Sequence, residues 1–214
     1  QRVADACLKN KVKILFPSTT SVYGSQASVV DETCRELKPQ SPYAASKLKA
    51  EDYLAQLGQK DNLKFVVLRL GTIFGTSTGM RFHTAVNKFC WQAVMGQPVS
   101  VWRTALHQKR PYLDLNDAVE AFKFIIHKDL FDGRTYNVVT ANATVNDIID
   151  AIRVHVPDLS IQYVDTAIMN QLSYEVSNAR FCKTGFQFRG ALKQGIGDTI
   201  TLIKGARYVH EARV

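Results

Sequence analysis

Apolar positions recur along this chain in two alternating rhythms. In QRVADACLKNK, Val3, Ala6, Cys7 and Leu8 fall on one side of a helix, with Lys and Arg toward its end. VKILFPS follows, and its continuous run of Ile14, Leu15 and Phe16 predicts a parallel strand covered on both faces. From Ser41 to Gln59 the helical period returns: Ser41 suits the N-cap, Pro42 the first helical position, and Ala50, Tyr53, Leu54 and Leu57 mark a buried stripe. FVVLRL, from Phe65 to Leu70, repeats the buried-strand pattern. Strand, helix and strand with a crossover of this length predict a right-handed parallel βαβ unit.

The alternation continues. Helical spacing runs from about Phe82 to Val94, then from Asp117 to His127 through Ala118, Phe122, Ile125 and Ile126. TYNVVT (Thr135 to Thr140) predicts a strand, and Thr144 opens a helix with capping-box spacing to Asp147, carried by Val145, Ile148, Ile149 and Ile152. SIQYV (Ser160 to Val164) predicts a further strand and Leu192 to Ile203 a closing helix. The fold class is α/β with a mostly parallel sheet. The first residues read as the last turns of a helix without a start signal, so a beginning further upstream is expected.

Composition narrows the classes. Of 214 residues, 46% are hydrophobic and 21% charged, with no low-complexity tract, which excludes disordered and fibrous proteins. A net charge of +8 invites an anionic partner: nucleic acid, an acidic membrane or a phosphorylated small molecule. The basic residues are scattered, with no arginine-rich arm or zinc-finger spacing, so no nucleic acid is expected. Cys7, Cys34, Cys90 and Cys182 form no C-x-x-C pair, which argues against a metal site and a disulfide framework. No apolar run reaches the roughly 18 residues of a bilayer span. The expected setting is the cytoplasm, with no membrane partner.

Candidate chemistry begins with Tyr43 and Lys47, four residues apart and so on one helix face. An ammonium beside a phenol favours the phenolate, a usable general base for oxidising a hydroxyl. The same spacing also serves as an ordinary polar pair on a solvated face, and both readings stand on the pair alone.

Wider segments resemble the extended short-chain dehydrogenases, in the NAD-dependent epimerase/dehydratase family. FPSTTSVYG (Phe16 to Gly24) is similar to the Ser/Thr run and V-Y-G turn that end the family's fifth strand. SPYAASKLKAE (Ser41 to Glu51) resembles its tyrosine-lysine helix, and FVVLRLGTIFG (Phe65 to Gly75) the following strand and active-site loop. QKRPYLDLNDAVEAF (Gln108 to Phe122) resembles the R-D-Y-x-H-V-x-D-x-A-x-A segment, and SYEVSNARFCKTGFQFRGALKQGIGDTI the C-terminal strand, loop and helix.

The resemblance implies the remainder of a Rossmann-type parallel sheet with a smaller C-terminal α/β substrate-binding lobe. Residues 1–78 and 110–142 would form a partial NAD-binding domain carrying the catalytic residues, and 79–109 and 143–214 the lobe. It makes Thr19, Tyr43 and Lys47 catalytic: Thr19 bonds the reacting sugar oxygen, Tyr43 is the acid/base, and Lys47 holds the nicotinamide ribose. Ser18, Leu70, Gly71 and Ile73 would border NAD together with Tyr43 and Lys47. Thr72, Asn87 and Arg110 would join Thr19 on a nucleotide-sugar substrate, Arg110 at its diphosphate. Thr72 stands where many members carry asparagine, and His83 and Thr84 lie in the same sugar-nucleotide segment as Asn87.

Departures matter too. Gly195-Ile-Gly197 is the nearest string to a pyrophosphate-cradling turn, yet it lacks a third glycine and a preceding strand. The second phosphate-binding arginine has no match, Asn170 standing near its place. Thr20 and Ser21 follow Thr19 where 4,6-dehydratases carry an acidic residue, which disfavours dehydration. What remains is an epimerase of the UDP-glucose 4-epimerase type, a dehydrogenase or reductase using the same residues, or a non-catalytic binding member. The family also implies a homodimer through a helix bundle containing the Tyr43 helix.

Overall fold

The computed structural model describes residues 1–26, 29–165 and 173–211. Helix α1 (Arg2–Lys9) turns Ala4, Cys7 and Leu8 onto Leu54, Leu63, Phe65 and Val67. Val3, placed by periodicity on the buried side, is instead 75% exposed, because the neighbouring Ala4 occupies the contact face.

Strand β1 (Ile14–Thr19) runs into a 3-10 turn, Thr20–Tyr23. Gly24 ends that turn at φ +67, where a Cβ would stand 2.2 Å from the Lys38 carbonyl oxygen, so only glycine fits. Helix α2 (Pro42–Asp61) starts as its sequence directs: the Ser41 hydroxyl accepts from the Ala44 amide at 3.1 Å, with Pro42 in the first turn. Strand β2 (Phe65–Leu70) pairs with β1 in parallel, from Ile14 opposite Phe65 to Thr19 opposite Leu70, completing the βαβ unit.

Strand β6 (Thr135–Val138) flanks β2 on its other edge, giving the order β1-β2-β6. Central β2 is buried throughout Phe65–Arg69. Strand β1 is less covered than its apolar run predicts: Ile14, Leu15 and Phe16 are half-buried and Pro17 exposed. Among the described residues it pairs with β2 alone.

The remaining elements are β3 (Thr72–Phe74), α3 (Ala85–Val94), β4 (Val99–Trp102), β5 (Arg110–Asp114), α4 (Leu115–His127), β7 (Ala141–Ala143), α5 (Val145–Arg153), β8 (Ile161–Val164), α6 (Ala179–Cys182) and α7 (Leu192–Glu211). They divide: helices α4 and α6 pack on the β1-β2-β6 sheet, while α3, α5 and α7 gather in a second cluster. β5 pairs with β3 in parallel and with β7 antiparallel, while β4 pairs with β8 in parallel. Strands β3, β4, β5 and β7 are too short for a periodic signal, and only neighbouring strands stabilise them. Helix α3 begins at Ala85, leaving Phe82 exposed, and α7 continues past Ile203 to Glu211. The Thr144–Asp147 capping box forms at the start of α5.

Two main cores result. One joins α3, α5 and α7 through Cys90, Ile148, Ile152, Ile196 and Ile200. The other lies under β2 and α4, through Val66, Leu68, Ile125 and Phe181, where Phe181 stacks on Phe186 at 4.7 Å between ring centres. Each fully buried side chain of this size stabilises the fold by about 1.5–3 kcal/mol. No helix among the described residues is long and apolar enough to cross a membrane.

Candidate active site

Where β1 and β2 end, a cleft of about 550 Å³ opens. Parallel α/β sheets place their ligand crevices at this carboxyl edge, because the connecting loops diverge there. Ser18, Thr19, Tyr43, Lys47, Leu70, Gly71, Thr72, Ile73 and Asn87 all line it. Arg110 does not: it lines an adjoining cavity of about 360 Å³ that shares Thr72, His83 and Thr84 with the cleft.

Local chemistry positions each group. The Ser41 cap and Pro42 fix the first turn of α2, which puts Tyr43 at the mouth, 57% exposed, with Lys47 one turn on. The Lys47 ammonium donates to the Pro17 carbonyl oxygen at 2.7 Å and lies 4.9 Å from the Phe16 ring centre and 5.9 Å from that of Tyr43. Thr19 is buried at the wall, and its Oγ1 accepts from the Ser21 amide at 3.2 Å while donating to the Ser21 hydroxyl at 3.2 Å. It therefore caps the 3-10 turn as well as facing the cleft. The Ser18 hydroxyl is committed elsewhere, donating to the buried Glu51 carboxylate.

Other nearby tyrosines are held as neutral phenols. Burial pushes Tyr23 up to about 12 against the opposing pull of Arg69 and Asn137, and pushes Tyr112 up to about 12. Tyr174 is raised by burial as well, against hydrogen bonds from Thr20 and Ser21. None of the three can serve as a base near neutral pH.

The far side of the cleft suits an anion. Thr84 is the N-cap of α3 yet makes no side-chain cap bond, and its Oγ1 is buried without a partner among the described residues. Asn87 donates through Nδ2 to the Arg81 carbonyl oxygen at 3.1 Å, while its Oδ1 is buried without a partner among the described residues and, being an acceptor, suits a ligand hydroxyl rather than the anion. A buried polar atom left unpaired costs about 1–3 kcal/mol, so both fit groups awaiting a ligand. Free amides of the helix N-terminus, with His83, Lys88 and Arg110 alongside, give that end a positive potential.

Glu51 and Arg69 escaped the sequence reading. They form a buried ion pair, Nη2 to Oε2 at 2.6 Å, directly beneath the cleft. A signal existed: an arginine inside the otherwise apolar FVVLRL strand must find a buried carboxylate, and Glu51 follows Lys47 by one turn. Asn170 lies outside the described residues. No group of three or more metal-ligating side chains gathers among the described residues.

Comparison with known proteins places these features in context. A model of the "NAD dependent epimerase/dehydratase family" matches residues 1–138. Among solved structures, UDP-glucose 4-epimerase of Thermus thermophilus, in complex with NAD, superposes with TM-score 0.82 at 26% identity, over 95% of this chain and 68% of that one. UDP-glucuronic acid 4-epimerase from Bacillus cereus, in complex with UDP-glucuronic acid and NAD, shares the fold with TM-score 0.85 at 20% identity, over 96% of this chain and 66% of that one. An Arabidopsis thaliana trifunctional UDP-glucose 4,6-dehydratase/UDP-4-keto-6-deoxy-D-glucose 3,5-epimerase/UDP-4-keto-L-rhamnose-reductase is 27% identical over 196 residues. The match takes in 88% of this chain but only 29% of that relative's length. The α/β architecture with its parallel sheet is thus that of Rossmann-type epimerase structures.

Proposed function

This chain belongs to the NAD dependent epimerase/dehydratase family, and on that premise we propose that it carries the catalytic cleft of a nucleotide-sugar 4-epimerase that works with NAD. One observation supports this most: the Tyr43 phenol and the Lys47 ammonium stand together at the mouth of a cleft that Thr19 walls.

The residues present fit the nicotinamide-ribose end of the cofactor. Pro17, Ser18 and the loop Leu70–Ile73 give a rim of mixed polarity; Ile73 is 38% exposed, and the Lys47 ammonium provides the donor for ribose hydroxyls. Gly71 crosses Pro111 so closely that a Cβ would stand 3.1 Å from its carbonyl oxygen, which keeps the loop backbone low beside the cleft. When bound, NAD supplies the acceptor and donor of a hydride.

The chain's own groups would handle the proton. Tyr43 takes it from the sugar hydroxyl as the carbon is oxidised and returns it after the ring has presented its other face. Lys47 steadies the negative charge on the phenol oxygen meanwhile. Thr19 holds the sugar oxygen, turning its hydroxyl from Ser21 toward the substrate. Arg110, the α3 N-terminus and the Thr84 hydroxyl take the nucleotide diphosphate, while the Asn87 Oδ1 accepts from a sugar hydroxyl. With the diphosphate held in the adjoining cavity, the cleft of about 550 Å³ gives a ketone sugar room to turn on that anchor.

Dehydration is disfavoured because Thr20 and Ser21 provide no carboxyl group beside Thr19. A dehydrogenase would use the same three residues and stop after one transfer. The test is a panel of UDP-sugars offered to the full-length protein. Interconversion of two epimers without net NADH supports the epimerase, whereas steady NADH accumulation establishes a dehydrogenase. A cytoplasmic homodimer belongs to the same proposal, and light scattering on the purified protein checks the dimer.

A further inference from the structure

Beneath the cleft, Glu51 of α2 joins β1 and β2 at one buried carboxylate. It stands on α2, one turn past Lys47 and two past Tyr43. Arg69 of β2 grips it: Nε lies 3.2 and 3.1 Å from the two carboxylate oxygens and Nη2 2.6 Å from Oε2, with side chains 7% and 6% exposed. Ser18 of β1 donates to Glu51 Oε1. The Arg69 guanidinium lies 4.9 Å over the Tyr23 ring, and Tyr23 donates in turn to Asn137 of β6 at 2.9 Å.

Stability does not require such a pair. Removing two charges from water costs several kcal/mol per ion, and well-packed apolar residues of similar volume often serve the fold as well or better. What an apolar pair cannot supply is direction. The planar fork of Arg69 donates to the carboxylate in one orientation, which fixes the rotation of α2 about its axis and its height over β1 and β2. Ser18, tied to the same carboxylate, is flanked by Pro17, whose carbonyl oxygen receives the Lys47 ammonium at 2.7 Å, and by Thr19. The three groups assigned to proton transfer therefore hang from one buried bridge.

We propose that Glu51, oriented by Arg69, is a positioning residue that sets the placement of Lys47 and Tyr43 over the end of β1. The inference rests on the catalytic reading above, but its geometric half can be read without turnover. Lys47 lies 4.9 Å from the Phe16 ring centre, so its ε-methylene protons carry a ring-current shift in the cofactor-free protein.

The experiment replaces both partners, Glu51→Leu with Arg69→Met, in the full-length protein. The thermal midpoint, the Lys47 ε-methylene shift (assigned through Lys47→Arg) and the kinetic constants are then measured. The expected result is a folded protein whose ring-current shift collapses and whose kcat falls at least tenfold, with the KM for nucleotide sugar within about threefold. A folded double variant that keeps both the shift and the turnover would overturn the proposal. A collapsed shift with unchanged turnover upholds the positioning and instead refutes the catalytic role of the Tyr43–Lys47 pair. Should the double variant fold poorly, Glu51→Asp decides: it keeps the charge but shortens the reach by one methylene, so at least half of the shift is expected to go. Its full retention would overturn the proposal.

Discussion

Lys47 reaches from the second turn of α2 to the Pro17 carbonyl oxygen at 2.7 Å, and this bond holds its ammonium 5.9 Å from the centre of the Tyr43 ring. One hydrogen bond thus sets the distance between the cation and the phenol that the proposed reaction pairs with it. Removing the ammonium while keeping the stem, in Lys47→Met, should lower kcat by about 10²-fold or more, since general acid–base contributions are typically 10²–10⁴-fold. The apparent affinity for NAD should fall in the same variant. The thermal midpoint should scarcely move, because the group is only half-buried and its stem still packs on Phe16. Steady-state kinetics beside a melting curve check both halves.

In the proposed reaction Arg110 serves binding rather than proton transfer. It lies outside the cleft that holds Tyr43, in the adjoining cavity with Lys88 and His83. Losing a charge-assisted hydrogen bond costs roughly 1.5–3 kcal/mol, so Arg110→Met should raise the KM for nucleotide sugar by about 10–100-fold with kcat changed little. Calorimetric titration with UDP alone should show the same loss.

Gly190 tests the packing that joins α4 to the C-terminal segment. A Cβ there would stand 2.4 Å from the Asp114 Cβ and 2.7 Å from Asp117 Oδ2. Asp117 is buried and accepts from the Arg189 amide at 2.9 Å and from the Thr140 hydroxyl at 2.7 Å, so it cannot move aside without stranding those donors. Gly190→Ala should destabilise the protein by about 2–4 kcal/mol, comparable to overpacking plus a broken buried hydrogen bond. Denaturant unfolding measures it.

The capping box gives a pH-dependent prediction. Hydrogen bonds from the Thr144 amide and hydroxyl hold the Asp147 carboxyl below its ordinary value. A carboxyl depressed in the folded state contributes stability above its unfolded pKa and loses it as pH falls through the folded one. Asp147→Asn should therefore cost about 0.5–1 kcal/mol at pH 7, the size of an exposed cap. The gap to wild type should close as pH drops below about 4, the unfolded carboxylate value. A gap that widens in acid would be the wrong sign.

The long periodic segments were legible in the sequence because each carries its own signal. Ser41-Pro42 announced α2, Thr144 with Asp147 announced α5, and FVVLRL announced the central strand. What stayed hidden depends on partners distant in sequence. Strands of three to five residues, such as Thr72–Phe74 and Ala141–Ala143, exist only through their neighbours. Val3 looked as apolar as the residues that pack, and only the placement of α1 against β2 shows that Ala4 takes its place. Spacing and segment resemblance single out Tyr43, Lys47 and Thr19, and the structure brings them to one cleft. Glu51 was not, since a glutamate on a helix reads as solvated until the Arg69 that buries it comes into view. Segment resemblance points to Thr84 and Asn87 as residues, but that their side-chain oxygens lack partners shows only once their surroundings are in view.

Transfer of the sugar proton by the Tyr43 oxygen is the step on which the proposed reaction depends. Tyr43→Phe removes that oxygen alone from a ring that is 57% exposed, so folding should be unaffected. The decisive measurement is the rate of UDP-sugar epimer interconversion by the full-length variant, with its thermal midpoint recorded alongside. A fall of about 10²–10⁴-fold in kcat at an unchanged midpoint is the predicted result. A folded variant that interconverts the epimers at the wild-type rate would contradict it.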